Sequence, residues 1–305
     1  MATRSAARSG ARSLVATASD YVQLMKPGIV LLLLITAFCS MIVAAHGLTA
    51  PRTLIAALVG LALSSGGANA VNMWYDQDID RVMLRTQRRP VPAGRMAPER
   101  ALWFGVACQV VSFALMWRTV GALAALLSLA GFAYYVFIYT MWLKRTTPQN
   151  IVIGGAAGAF PPLVGWAAVT HGLALAPVLM FLVVFLWTPP HFWSLALYRQ
   201  EDYRRAGIPM MPVVAGERTT KAQSLAYAVL TLLASSALAA TGAVAPWYLA
   251  IVVPAGVAFV FFSLATWRER LPAVAWAKRT FRFSLLYLAA VFGAMVLSVP
   301  GLFGR

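Results

Sequence analysis

The chain has 305 residues, 61% of them apolar and only 11% charged, against about 25% charged in a soluble domain. A bilayer-spanning helix takes roughly 20 apolar residues, so this composition supplies about nine spans and excludes a soluble enzyme, a disordered chain and a secreted disulfide scaffold. The net charge of +16 would suggest nucleic acid or an anionic surface in a soluble protein; in a membrane protein the first explanation is Lys and Arg gathered in cytoplasmic loops.

In chain order, residues 1–20 read as a basic N-terminal tail. Positions 1–19 are rich in Ala, Ser and Arg, hold no acid and lack the apolar run of a secretory signal. This fits a bacterial chain, with a mitochondrial transit peptide as the alternative. Residues 21–305 read as a single polytopic domain. Apolar runs predict helices over 28–47, 53–75, 100–117, 120–142, 150–170, 174–197, 222–243, 246–266 and 281–301. Connections are short except for 76–99 and 198–221. The expected fold class is an all-α membrane protein, with about nine transmembrane helices in one bundle. Gly154, Gly155 and Gly158 either break the fifth run or let a neighbour pack closely, the second being the simpler reading. Cys39 and Cys108 sit in apolar runs and read as small core residues.

Taking the N-terminal side as inside, 22 of the 25 Lys and Arg fall in inside segments, with Arg52, Arg118 and Arg305 the exceptions. That bias puts the N-terminus in the cytoplasm, or in an organelle matrix, and the C-terminus outside. It explains most of the +16 without a nucleic-acid partner. All nine acids lie on the same side, which the charge rule does not require. The inner face is therefore where binding or chemistry concentrates.

The second run ends NMWYDQDIDRVMLRTQRRPVPAGR. Asn72, Asp76 and Asp80 are spaced i, i+4, i+8, on one helix face over about 12 Å. Asp78 points elsewhere. A row of carboxylates and an amide oxygen at the membrane edge is costly unless it binds something, and it suits Mg²⁺, which takes one or two carboxylates with water and substrate phosphate oxygens. Residues 81–95 hold five Arg. Acids that hold a metal, beside guanidinium groups that fork onto oxygens, are what a diphosphate needs; Arg81 and Arg85 are the candidates. The sixth run ends HFWSLALYRQEDYRRAGIPMMPVVAG. An offset of 122 lays Asp80 on Asp202, and Pro90, Val91, Ala93 and Gly94 on Pro212, Val213, Ala215 and Gly216, a faint tandem repeat of the kind that frames membrane binding sites. A third inner segment offers Tyr139, Lys144 and Arg145 to the same anion. Trp74, Tyr135 and Tyr139 are candidate aromatics for a carbocation.

These motifs resemble the intramembrane aromatic prenyltransferases, the UbiA-type enzymes, whose N-x-x-x-D-x-x-x-D pattern the first loop matches. The three inner segments are most similar to the protoheme IX farnesyltransferase (haem O synthase) branch, from about Tyr21 to Arg282. The resemblance implies a UbiA-type fold and a Mg²⁺-dependent transfer of farnesyl from farnesyl diphosphate to a vinyl group of haem B with water addition, giving haem O for haem-copper oxidases. It implies a bacterial inner-membrane or mitochondrial inner-membrane location and a haem A synthase downstream. It places Asn72, Asp76, Asp80 and Asp202 on the metal, Lys144 and Tyr139 on diphosphate, and makes Asp76, Asp80, Lys144 and Asp202 catalytic. The second motif departs from the wider D-x-x-x-D pattern: Tyr198 stands where the first Asp would be. His191 and Tyr198 are candidate haem contacts, and His46 and His171 weaker ones. The rivals are a UbiA-type enzyme acting on a quinone precursor or chlorin, and a proton-coupled transporter, which the absence of charge from the span centres disfavours.

Overall fold

The computed structural model describes residues 14–270 and 272–301; Arg4, Arg8, Arg12 and Arg305 lie outside them. The described residues form helices and turns without a strand: α1 (Leu14–Met25), α2 (Pro27–Ala45), α3 (Pro51–Tyr75), α4 (Gln77–Val82), α5 (Pro98–Thr119), α6 (Ala122–Thr146), α7 (Asn150–Thr170), α8 (Leu175–Tyr198), α9 (Gln200–Arg205), α10 (Met211–Val214), α11 (Gly216–Thr241), α12 (Tyr248–Arg268) and α13 (Ala275–Leu297). Nine of these, α2, α3, α5 to α8 and α11 to α13, are long and apolar enough to cross a membrane, one for each predicted run. Pro27, Pro51 and Pro98 each start a helix at the first turn, where the missing N–H costs nothing.

Two kinds of boundary differ from the sequence reading. Residues 14–20, expected as tail, belong to α1. This helix buries Leu24 and Asp20, and packs Tyr21 against Phe104. Helices α11 and α13 each begin six residues before their apolar runs. Their first turns are polar but well supported. Glu217 pairs with Lys221 one turn on, and the Glu269 carboxylate accepts the backbone N–H of Trp276 and Ala277 at 2.9–3.2 Å. Hydropathy reports the part of a helix in lipid, not its capped polar end.

Close packing depends on small residues, as expected where lipid removes the hydrophobic drive between helices. Helices α3 and α5 cross at Gly67 and Gly105, where a Cβ on either would come within 2.6 Å of the other's carbonyl oxygen. Gly165 of α7 lies against the Ala37 carbonyl of α2, and Ser40 donates to the Pro162 carbonyl at 2.7 Å. One apolar core joins α8, α11, α12 and α13 around Met180, Tyr248, Phe259 and Tyr287. Another joins α2, α3, α5, α6 and α7. Two spans are irregular: α6 is π-helical over Tyr134–Leu143 and α7 is 3-10 over Gly155–Ala159. π stretches recur at functional sites. The glycine run of α7 thus both breaks the regular helix and gives close contact, since a Cβ on Gly154 would overlap the Tyr139 ring.

Candidate active site

The row predicted on the second span forms, and it crosses a helix junction. Helix α3 stops at Tyr75, yet Asp76 N–H bonds Asn72 O at 2.9 Å and Asp80 N–H bonds Asp76 O at 2.8 Å. The helical register therefore carries on into α4, and Asn72, Asp76 and Asp80 share one face. Asp76 is fully buried, and Asn72 and Asp80 nearly so. Buried carboxylates need partners, and each has one. Lys144 from α6 makes a short ion pair with Asp76, and Arg145 reaches its second oxygen at 3.4 Å. Asn72 Nδ2 donates to Asp76 at 2.6 Å and to Thr140 Oγ1 at 3.1 Å. Arg89 pairs with Asp80 at 2.7 Å. Asp78, off the face as expected, grips Arg145 through both its oxygens at 2.7 and 2.8 Å; the guanidinium holds the Asp78 carboxyl below its usual range.

The sequence reading placed Arg81 and Arg85 on the anion. Both are exposed, and neither pairs with a carboxylate among the described ion pairs, whereas Arg89, not singled out in the sequence, pairs with Asp80. A further cation went unrecognised there. Lys26, between α1 and α2, donates to Asn72 Oδ1 at 2.7 Å. Its backbone is left-handed, at φ 53°, a conformation that costs a non-glycine residue about 1–2 kcal/mol and tends to be kept where function needs it. Burial, with Arg89 and Lys144 nearby, draws its pKa well below the ordinary lysine value, against the opposing pull of Asp80 and Asp76. Lys26 has no carboxylate partner among the described ion pairs. It looked like one more positive-inside residue, and only the lysine-proline start of the first span hinted otherwise.

The second acidic loop packs on the first. Ile79 of α4 and Met83 just after it share an apolar cluster with Tyr203, Ile208, Met210 and Met211. Burial pushes the Tyr203 hydroxyl up, and it lies close enough to Arg85, Tyr139, Lys144 and Asp202 to feel their charges. Asp202 is buried on α9, 3.9 Å from Arg199. Both loops pair a short helix with a later left-handed glycine, Gly94 at φ 69° and Gly216 at φ 79°, which gives the faint repeat a structural counterpart. Among the described residues no three His, Cys, Asp or Glu side chains are grouped to hold a metal by themselves.

Beneath this charged cluster a cavity of about 390 Å³ runs between α2, α3, α6, α7, α8 and α13, within the roughly 300–1,000 Å³ of small-molecule sites. Asn69, one turn before Asn72, lines it with Tyr135, Tyr139, Phe160, Trp187 and His191. Tyr135 and Tyr139 stand 5.4 Å apart. Trp74, His46 and His171 are not among its lining residues. His191 stacks between Trp187 at 4.3 Å and Phe281 at 4.6 Å. Tyr198 sits edge-on to Phe281 at 6.2 Å, outside the cavity, with Lys278 over its ring. A buried face of paired carboxylates and cations, next to an apolar, aromatic-lined chamber, suits a molecule with a charged head and a long hydrocarbon tail.

Comparison with known proteins agrees. Residues 33–300 match the model of the UbiA prenyltransferase family. The chain is 59% identical over 280 residues to a protoheme IX farnesyltransferase of Symbiobacterium thermophilum, covering 92% of this chain and 94% of that one. It is 47% identical to the protoheme IX farnesyltransferase of Acidiphilium cryptum, covering 92% and 91%. Among solved structures, one of digeranylgeranylglyceryl phosphate synthase superposes with a TM-score of 0.78 at 16% identity, over 93% of this chain and 98% of that one. A UbiA homologue from Archaeoglobus fulgidus bound to GPP and Mg²⁺ superposes with a TM-score of 0.62 at 16% identity, over 90% and 99%. The chain belongs to the UbiA prenyltransferase family.

Proposed function

We propose that this prenyltransferase joins the farnesyl group of farnesyl diphosphate to a vinyl group of haem B, with water adding at the same vinyl, giving haem O and diphosphate. The observation that carries the transfer is the buried Asn72, Asp76, Asp80 face, ringed by Lys26, Arg89, Lys144 and Arg145, with Asn69 one turn away lining an apolar cavity. The acceptor is supported by the farnesyltransferase relatives, which align over nine tenths of the chain.

The donor set fits Mg²⁺. Two buried carboxylates and an amide cannot complete six oxygens, but a magnesium ion that shares its shell with diphosphate and water needs no more than one or two carboxylates. Asp76 and Asp80, with Asn72 on the same face, would hold it, and Asp202 of the second loop is the further candidate ligand; the A. fulgidus homologue carries Mg²⁺ with GPP. When bound, the metal neutralises charge on the departing diphosphate. The chain's own cations do the same work from fixed positions. As the allylic C–O bond breaks, negative charge grows on diphosphate, and Lys26, Lys144, Arg145 and Arg89 are aimed at it, favouring the transition state over the ground state. The allylic carbon bonds to the vinyl terminus, water captures the porphyrin-side cation, and that water loses a proton. Tyr135 and Tyr139 face the allylic cation with their rings, and the apolar lining keeps bulk water from quenching it early. The cation bias supports an N-terminus on the cytoplasmic or matrix side, in a bacterial inner membrane or, alternatively, a mitochondrial one, and the product suits handover to a haem A synthase.

The test is mass spectrometry of haem extracted from cells with and without the chain. Haem O should appear only with it; a prenylated hydroxybenzoate or chlorin in its place would reassign the acceptor.

A further inference from the structure

The His191 ring is held more tightly than packing requires. Trp187 and Phe281 cover its two faces, at interplanar angles of 17° and 24°, and Trp187 Nε1 donates to the Ser284 carbonyl at 2.7 Å. Ser284 is fully buried on α13. Its single hydroxyl proton goes to the Phe281 carbonyl at 2.7 Å. With that proton on the Phe281 carbonyl, the Ser284 oxygen accepts from His191 Nδ1–H across their 2.6 Å contact. In that arrangement the His191 proton sits on Nδ1 and the lone pair on Nε2. Nε2 has no hydrogen-bond partner among the described residues, and His191 lines the cavity. A neutral imidazole whose far N–H is hydrogen-bonded is the form that ligates a metal.

We propose that Ser284 is a positioning residue that holds His191 as the axial ligand of the haem substrate's iron. Resting on the haem reading above, this deepens it: the iron, which takes no part in the transfer, becomes the handle that sets which vinyl edge meets the allylic carbon. Trp187 and Phe281 fix the ring plane, and the Ser284 oxygen fixes the tautomer.

The test uses the full chain in lipid nanodiscs, titrated with haem B and, separately, with iron-free protoporphyrin IX, followed by absorption and electron paramagnetic resonance. The parent should give the spectrum of histidine-ligated haem. His191→Gly should lose it and regain it with added imidazole. Ser284→Ala should bind haem roughly 10- to 100-fold more weakly, the usual cost of losing such an outer partner, with protoporphyrin affinity unchanged. Ser284→Thr, which keeps the hydroxyl, should restore the parent's behaviour and guards against misfolding as the cause. If His191→Gly and Ser284→Ala bind and farnesylate haem with the parent's spectrum, the ligand assignment is wrong while the function stands. If the parent binds no haem and prenylates another acceptor, the haem reading fails and takes this inference with it.

Discussion

Replacing Lys26 with methionine should have opposite effects on ligand binding and on stability. The Lys26 amine lies half-buried beside Asn72 Oδ1, with Arg89 and Lys144 as neighbouring cations and Asp76 and Asp80 opposing them. In the ligand-free protein desolvation disfavours its charged form and it has no carboxylate partner among the described ion pairs, so an apolar side chain of similar length should leave the melting temperature unchanged or raise it. With diphosphate bound, the same ammonium makes a charge-assisted hydrogen bond. Such bonds contribute about 1.5–3 kcal/mol, so Lys26→Met should weaken binding of a farnesyl diphosphate analogue roughly 10- to 150-fold. Calorimetry in nanodiscs with Mg²⁺ measures the first effect and thermal unfolding the second. Unchanged affinity would remove Lys26 from the site. A loss of stability parallel to the loss of affinity would mean that the residue serves the fold and reaches the ligand only through it.

Asp76→Asn and Asp80→Asn should each lower turnover by at least about 100-fold, the scale of removing one electrostatic stabiliser, while still inserting in the membrane; normal activity in either across a Mg²⁺ titration would refute the metal role. Gly67→Ala pushes a methyl into the Gly105 carbonyl, and overpacking of this kind should cost about 1–3 kcal/mol, read as a fall in melting temperature. Gly154→Ala strikes the Tyr139 ring instead, so turnover should fall by up to about 100-fold with less thermal destabilisation than Gly67→Ala; the reverse order would separate Tyr139 from the reacting centre.

Much of this could be read before folding because the bilayer imposes few rules. Apolar length located all nine spans, and the i, i+4, i+8 spacing put Asn72, Asp76 and Asp80 on one face, which survives even the break after Tyr75. What escaped depends on contacts between distant segments. Lys26 meets Asn72 across 46 positions, and nothing in spacing separates it from an ordinary positive-inside lysine. Arg89 was not singled out, nine positions beyond Asp80, but the chain turns after α4, where Thr86 bonds the Asp80 carbonyl at 3.0 Å, and Arg89 comes back onto Asp80. His191 was legible as a candidate. Its clamp was not, because Ser284 and Phe281 lie on a helix about ninety residues further on. The polar starts of α11 and α13 escaped because hydropathy cannot register a polar turn outside the apolar slab.

The central claim is that the prenyl phosphates sit on the buried carboxylate face closing α3. A structure with Mg²⁺ and a non-cleavable farnesyl thiodiphosphate tests it directly. The phosphates should lie within hydrogen-bonding distance of Lys26 and Lys144, with the metal between them and Asp76 and Asp80, and the tail should run into the cavity past Tyr139. Phosphates found at the opposite end of the bundle, near His46 and His171, would contradict the account.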